Sequence, residues 1–230
     1  MLTLVLVLGL AFVSCGDGDG NVSGGGNNPG YRIASTTTTF YMSTGTSPQT
    51  DNYYYDSNGF CSRAEYISNG IVGSFATFSY NDSGWLIRRV TSDVSGYSTT
   101  QDYEYEFGEN LVRRIMHISG SAFKTEIFWS GNRVDHTDYY DQNNTLTGRI
   151  SLNYGSSGKA EYSQYVNYAN GYTTIQTPTY GSNGRVLYST ETQDGVPIYR
   201  LDYTYEDGNG YFGSDLDPHG NVLPNVYYWY

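Results

Sequence analysis

Phe78-Ser79-Tyr80-Asn81-Asp82-Ser83-Gly84 and, twenty-five residues further on, Tyr103-Glu104-Tyr105-Glu106-Phe107-Gly108 follow one local pattern. Two aromatic residues are separated by a spacer, then come polar residues and a glycine. Rings on alternate residues have the period of a β-strand, and the glycine provides the positive φ that a tight hairpin turn needs. The pattern returns at Tyr53-x-Tyr55 before Gly59 and at Tyr203-x-Tyr205 before Gly208. Between these points lie further turn clusters: Ser68-Asn-Gly70, Ser95-Gly96, Ser119-Gly120, Ser130-Gly131, Asn143-Asn144, Ser156-Ser-Gly158, Asn170-Gly171, Ser182-Asn-Gly184 and Asp194-Gly195. Successive clusters fall 11 to 14 residues apart. The spacing predicts an all-β antiparallel meander with essentially no helix, in which two turns make one unit and about seven hairpin units follow one another.

These motifs resemble the YD repeats of the RHS family, whose units read Tyr-x-Tyr-Asp-x-x-Gly with a Gly-Arg pair downstream. Gly148-Arg149 and Gly184-Arg185 supply that pair here, and the resemblance runs over about residues 51–212. It implies a β-hairpin array. Long arrays of the family curl into shells around a toxin, whereas about seven units are too few for closure, so the expectation is one extended, twisted or curled sheet. The family resemblance transfers architecture and not activity.

Composition agrees with a tyrosine-built core. Aliphatic residues are too sparse for an ordinary globular interior, yet the chain carries 26 tyrosines among its 230 residues, together with 28 glycines. Tyrosine combines large apolar area with strand preference. Basic residues number 12 against 23 acidic ones, for a formal charge of −11. A nucleic-acid partner is thereby excluded, because too few cations remain to displace counterions from phosphates. Apart from Arg32, the cations follow closely after turns, as Arg63, Arg88, Arg113 and Arg149 do, while Asp56, Glu106, Asp141 and Glu206 precede them. In hairpins this order sets cations beside carboxylates and rings, each contact contributing roughly 0.2–1 kcal/mol.

The N-terminus reads as an address. Residues 2–13 are an apolar run, too short for a bilayer core of roughly 30 Å and sized for a signal peptide. Phe12-Val13-Ser14-Cys15 resembles the lipobox of bacterial lipoproteins, which implies a diacylated Cys15, and Gly16 after it implies sorting to the outer membrane. The expected organisation is a signal peptide over 1–14, a flexible Gly/Asn/Asp tether over 15–30, the hairpin domain over 31–212, and a C-terminal tail or capping segment over 213–230. With Cys15 acylated, Cys61 has no disulfide partner.

Three features compete for a function. Trp85 and Trp129 fall near one sheet edge, two units apart, where their rings would stack on sugars or pack under neighbouring tyrosines. Asp215, Asp217 and His219 are weak metal candidates that equally suit a turn before Gly220. The many carboxylates raise the idea of a glycosidase, but no pair is marked out, and no catalytic triad or phosphate-binding loop appears. The reading is a non-catalytic envelope lipoprotein without a cofactor. It would act as a surface binding or structural module, favoured as a monomer, with neutral polysaccharide the preferred ligand class. The alternatives are a surface glycan hydrolase or a component of an RHS-type toxin system.

Overall fold

The computed structural model describes residues 31–41, 48–108, 111–131, 133–156, 159–182 and 186–207. They form fourteen strands: β1 (Tyr31–Phe40), β2 (Gln49–Tyr55), β3 (Cys61–Ser68), β4 (Ile71–Tyr80), β5 (Leu86–Asp93), β6 (Ser98–Phe107), β7 (Leu111–Ile118), β8 (Ser121–Ser130), β9 (Arg133–Tyr140), β10 (Leu146–Tyr154), β11 (Ala160–Asn167), β12 (Thr173–Tyr180), β13 (Val186–Gln193) and β14 (Val196–Asp207). Every strand pairs antiparallel with its sequence neighbours, and the sheet closes into a barrel. The expected open sheet is therefore corrected. β1 joins β14 in register from Tyr31↔Asp207 to Phe40↔Tyr199 while its other side pairs β2. Twist accumulated over many strands brings the ends of a sheet together, and pairing them removes two edges of unsatisfied N–H and C=O groups. The Thr-rich run Thr36–Thr39 is well suited to the closing strand. The hairpin units expected from residue 51 onward do not tile this barrel. β1 lies before them, and Asp207 ends β14.

Two kinds of turn connect the strands. Asn69-Gly70, Ser119-Gly120 and Asp194-Gly195 have positive φ at both residues, the two-residue geometry whose twist matches that of the strands. In longer turns an opening Asp or Asn organises the backbone. The Asp56 carboxylate accepts the amides of Asn58 and Phe60, at 2.8 and 2.9 Å, and Asn81, Asp93 and Asp141 do the same for the amides two and four residues on. This local bond explains the polar residue that follows the second aromatic in the repeated pattern.

The second aromatic has its own role. The hydroxyls of Tyr55, Tyr80, Tyr105, Tyr154, Tyr180 and Tyr205 donate to the carbonyls of Ile33, Cys61, Leu86, Val134, Ala160 and Val186, all at 2.7–2.9 Å. Each bond satisfies an oxygen near a register shift, which recurs at Tyr54/Tyr55, Ser79/Tyr80, Asn153/Tyr154 and Thr179/Tyr180. Trp129 occupies the equivalent place in β8, at the shift between Phe128 and Trp129. One end of the barrel is thus ringed by aromatic side chains over the buried Ile33, Cys61, Leu86, Val134 and Val186.

The interior is unevenly filled. Eight strands make a barrel that side chains just fill, so fourteen leave space unless the walls approach each other. From β7 round to β1 they do. Met116, Thr125, Thr137, Ile150, Gln176, Ser189, Glu191, Tyr199, Leu201 and Thr36 all face inward and are buried. Leu152 touches both the Ile33/Val186/Tyr199/Leu201/Tyr203 cluster and the Ile127/Val134 cluster. Along β2–β6 the same face is different. Apart from Cys61 and Leu86 under the aromatic end, only the small Ala64 and Ala76 are buried there, and the larger inward residues keep partial access to water.

Candidate functional site

That accessible arc follows from strand register. Asp51 faces Tyr66, which faces Ser74, and Phe78 faces Arg89, which faces Gln101. Tyr103 stands opposite Met116, and Tyr105 opposite Arg114. Successive strand residues point to opposite sides, so in Leu86-Ile-Arg88-Arg89 and Leu111-Val-Arg113-Arg114 one arginine of each pair must enter the barrel. Arg88 stays outside on Asp102 at 2.6 Å, while Arg89 turns in and donates to the Tyr66 hydroxyl at 2.8 Å. Its guanidinium carbon lies 6.0 Å from the Tyr66 ring and 5.9 Å from that of Phe78. Arg114 stands 6.0 Å from the Tyr103 ring, and the Tyr103 hydroxyl donates to Gln101 at 3.2 Å.

Asp51 is the carboxylate of this arc. Burial pushes its pKa up to about 7, with the Arg89 charge opposing the rise. Desolvation outweighs the cation, so near neutrality the carboxyl is divided between its two protonation states. A second inward carboxyl, Glu191, lies in the packed half. Burial raises its pKa as well, against hydrogen bonds from Tyr199 and Thr174. Pairing of the two is not part of the register, for Asp51 lies on β2 and Glu191 on β13.

The outer face is laced with ion pairs at mid-strand. Arg149 grips Asp138 with two bonds, at 2.6 and 2.8 Å, and Arg113 bridges Glu106 and Glu126. Arg63 meets Glu65 at 2.9 Å, and Arg200 meets Asp202 at 2.6 Å while lying 3.7 Å from the Tyr188 ring. The Arg113–Glu106 and Arg149–Asp138 contacts follow the expected order, acid before the turn and cation after it, whereas Arg88–Asp102 crosses its hairpin in the reverse order.

The residues singled out in the sequence have other settings. Trp85 packs 5.0 Å from both Tyr105 and Phe107. It joins Trp129, Tyr105 and Leu152 against Ile127 and Val134. The structure thus brings both indoles to one cluster, half-buried, and not to an open row along a sheet edge. Cys61 is fully buried, its thiol directed to the Arg63 carbonyl at 3.4 Å, which suits packing better than nucleophilic chemistry. Among the described residues no three His, Cys, Asp or Glu side chains gather to hold a metal. Cys15, Asp215, Asp217 and His219 lie outside the described residues.

No family model matches the chain, and no curated protein does. Among solved structures it is similar to a porin-like protein from Bacteroides uniformis ATCC 8492, with a TM-score of 0.46 and 13% identity, over 76% of this chain and 96% of that one. It is also similar to a "putative outer membrane lipoprotein-sorting protein domain" from Vibrio parahaemolyticus, with a TM-score of 0.32 and 8% identity, over 82% and 90% of the two chains.

Proposed function

We propose that this chain is a lipid-anchored protein of the bacterial cell envelope whose barrel stands in water as a non-catalytic binding module, on a scaffold of YD-like hairpins. The observation that carries the reading is the ring of ion pairs around the outside. A barrel that spans a membrane presents an apolar band to lipid, and a single Arg or Lys at the bilayer midplane costs about 2–4 kcal/mol. Here Arg63, Arg88, Arg113, Arg149 and Arg200 sit within the strands, each beside a carboxylate. Such a surface favours water on all sides, so contact with the membrane falls to the acyl chains on Cys15. Two or three such chains hold far more firmly than one.

Binding is favoured over hydrolysis by the carboxylates of the accessible arc. Two-carboxylate glycoside hydrolysis needs partners about 5–10 Å apart. Among the described mid-strand positions that face inward on β2–β6, Asp51 alone is acidic. In Triton X-114 partitioning the full chain goes to the detergent phase, and Cys15→Ser moves it to the aqueous phase as folded protein. A Cys15→Ser chain that stays with detergent overturns the anchored, water-facing reading.

A further inference from the structure

We infer that the accessible arc inside the barrel, between β2 and β6, is the ligand site, and that it takes a neutral oligosaccharide. The inference rests on the binding-module reading above and moves the contact from the indoles of the barrel end to the interior wall.

Three observations lead to it. The first is space. Fourteen strands enclose more volume than side chains fill, and the packed half from β7 to β1 accounts for one side only. The inward Tyr66, Phe78, Arg89, Gln101 and Tyr103 retain partial access although they line a closed barrel. The second is chemistry. The wall alternates rings with planar polar groups: Tyr66 and Phe78 flank Arg89, and Gln101 lies between Arg89 and Tyr103. Rings accept the apolar faces of sugars, while guanidinium, amide and carboxyl groups each engage neighbouring hydroxyls through two atoms. The third is charge. Asp51 offsets part of the Arg89 charge inside, and the chain as a whole carries −11, a field that turns anionic polymers away. A neutral, hydroxyl-rich ligand satisfies this wall without bringing in an unpaired charge.

Trp85 and Trp129 do not compete for this role. Their packing with Tyr105 and Phe107 and against Ile127 and Val134 makes them part of the barrel end.

The test uses the full-length Cys15→Ser chain and isothermal titration with maltohexaose, cellohexaose, xylohexaose, laminarihexaose and chitohexaose, plus hexagalacturonate as the anionic control. At least one neutral hexasaccharide binds with a dissociation constant below about 1 mM, and hexagalacturonate binds at least tenfold more weakly. Gln101→Ala removes a wall contact, and Thr91→Trp, on β5 opposite the inward Ala76, fills the arc. Each lowers that affinity at least tenfold while the cooperative melt persists. Failure of all five neutral sugars up to 10 mM overturns the inference, as does preference for hexagalacturonate. Binding that survives both interior substitutions overturns it too. Release of new reducing ends from the bound sugar contradicts the non-catalytic reading and leaves the interior site standing, so the two claims fail separately.

Discussion

A chain lacking Trp85–Gly96, one strand and its turn, loses its cooperative melting transition, whereas a chain lacking Gly84–Phe107, two strands, keeps one. The contrast follows from closure. In the intact barrel β1 and β14 meet antiparallel, which an even number of strands permits. Removal of one strand reverses the direction of every later strand and brings β14 to β1 in parallel, so the antiparallel pairing from Tyr31↔Asp207 to Phe40↔Tyr199 cannot form. Removal of two strands preserves direction and facing. It also takes β5 and β6 from the loosely filled arc, so the buried clusters around Tyr199 and Leu201 remain. Differential scanning calorimetry separates the outcomes, and equal behaviour of the two deletions contradicts the closed, alternating arrangement.

Asp51→Asn stabilises the protein at pH 8 by on the order of 2 kcal/mol and changes it little at pH 4. The Asp51 pKa rises from 3.8 to about 7 in the fold, so the native state holds its proton more tightly than the unfolded chain does. Stability therefore falls as the pH rises from about 4 to about 7, and the full penalty is present above pH 7. Three units at 1.36 kcal/mol set an upper limit of about 4 kcal/mol, which the partial water access of the arc reduces. Asn keeps the shape and removes the charge. Urea melts of both proteins at pH 4 and pH 8 measure the effect. A loss of stability at pH 8 would mean that the ionised carboxylate is paired with Arg89 well enough to outweigh its burial.

Much of the fold is legible in the sequence because the information is local. The turn residues Asn69-Gly70, Ser119-Gly120 and Asp194-Gly195 fix hairpins by their own backbone preferences, and the aromatic doublets mark the strand ends. Closure is not local. It depends on β1, a Thr-rich strand without the aromatic pattern, finding β14 across almost the whole chain. The interior site was hidden for a related reason. Arg89 and Arg114 look like their neighbours Arg88 and Arg113, and only the alternation of faces, together with knowledge of which face is enclosed, separates the two pairs. The double arginines after Leu86 and Leu111 were the available signal. Trp85 and Trp129 were legible as sharing one sheet edge two units apart, but the curvature that seats them together among Tyr105, Ile127 and Val134 belongs to the closed barrel.

The most direct test of the account is a cross-link across the seam. Ser35 on β1 and Thr204 on β14 are in register, with their hydroxyl oxygens 2.6 Å apart on the outer face. In the Cys15→Ser chain, Ser35→Cys with Thr204→Cys forms an intramolecular disulfide under mild oxidation, read as a faster-migrating monomer on a non-reducing gel, while the buried Cys61 stays reduced. In an open sheet of fourteen strands these positions would lie at opposite edges, and the two cysteines would remain free or link separate molecules.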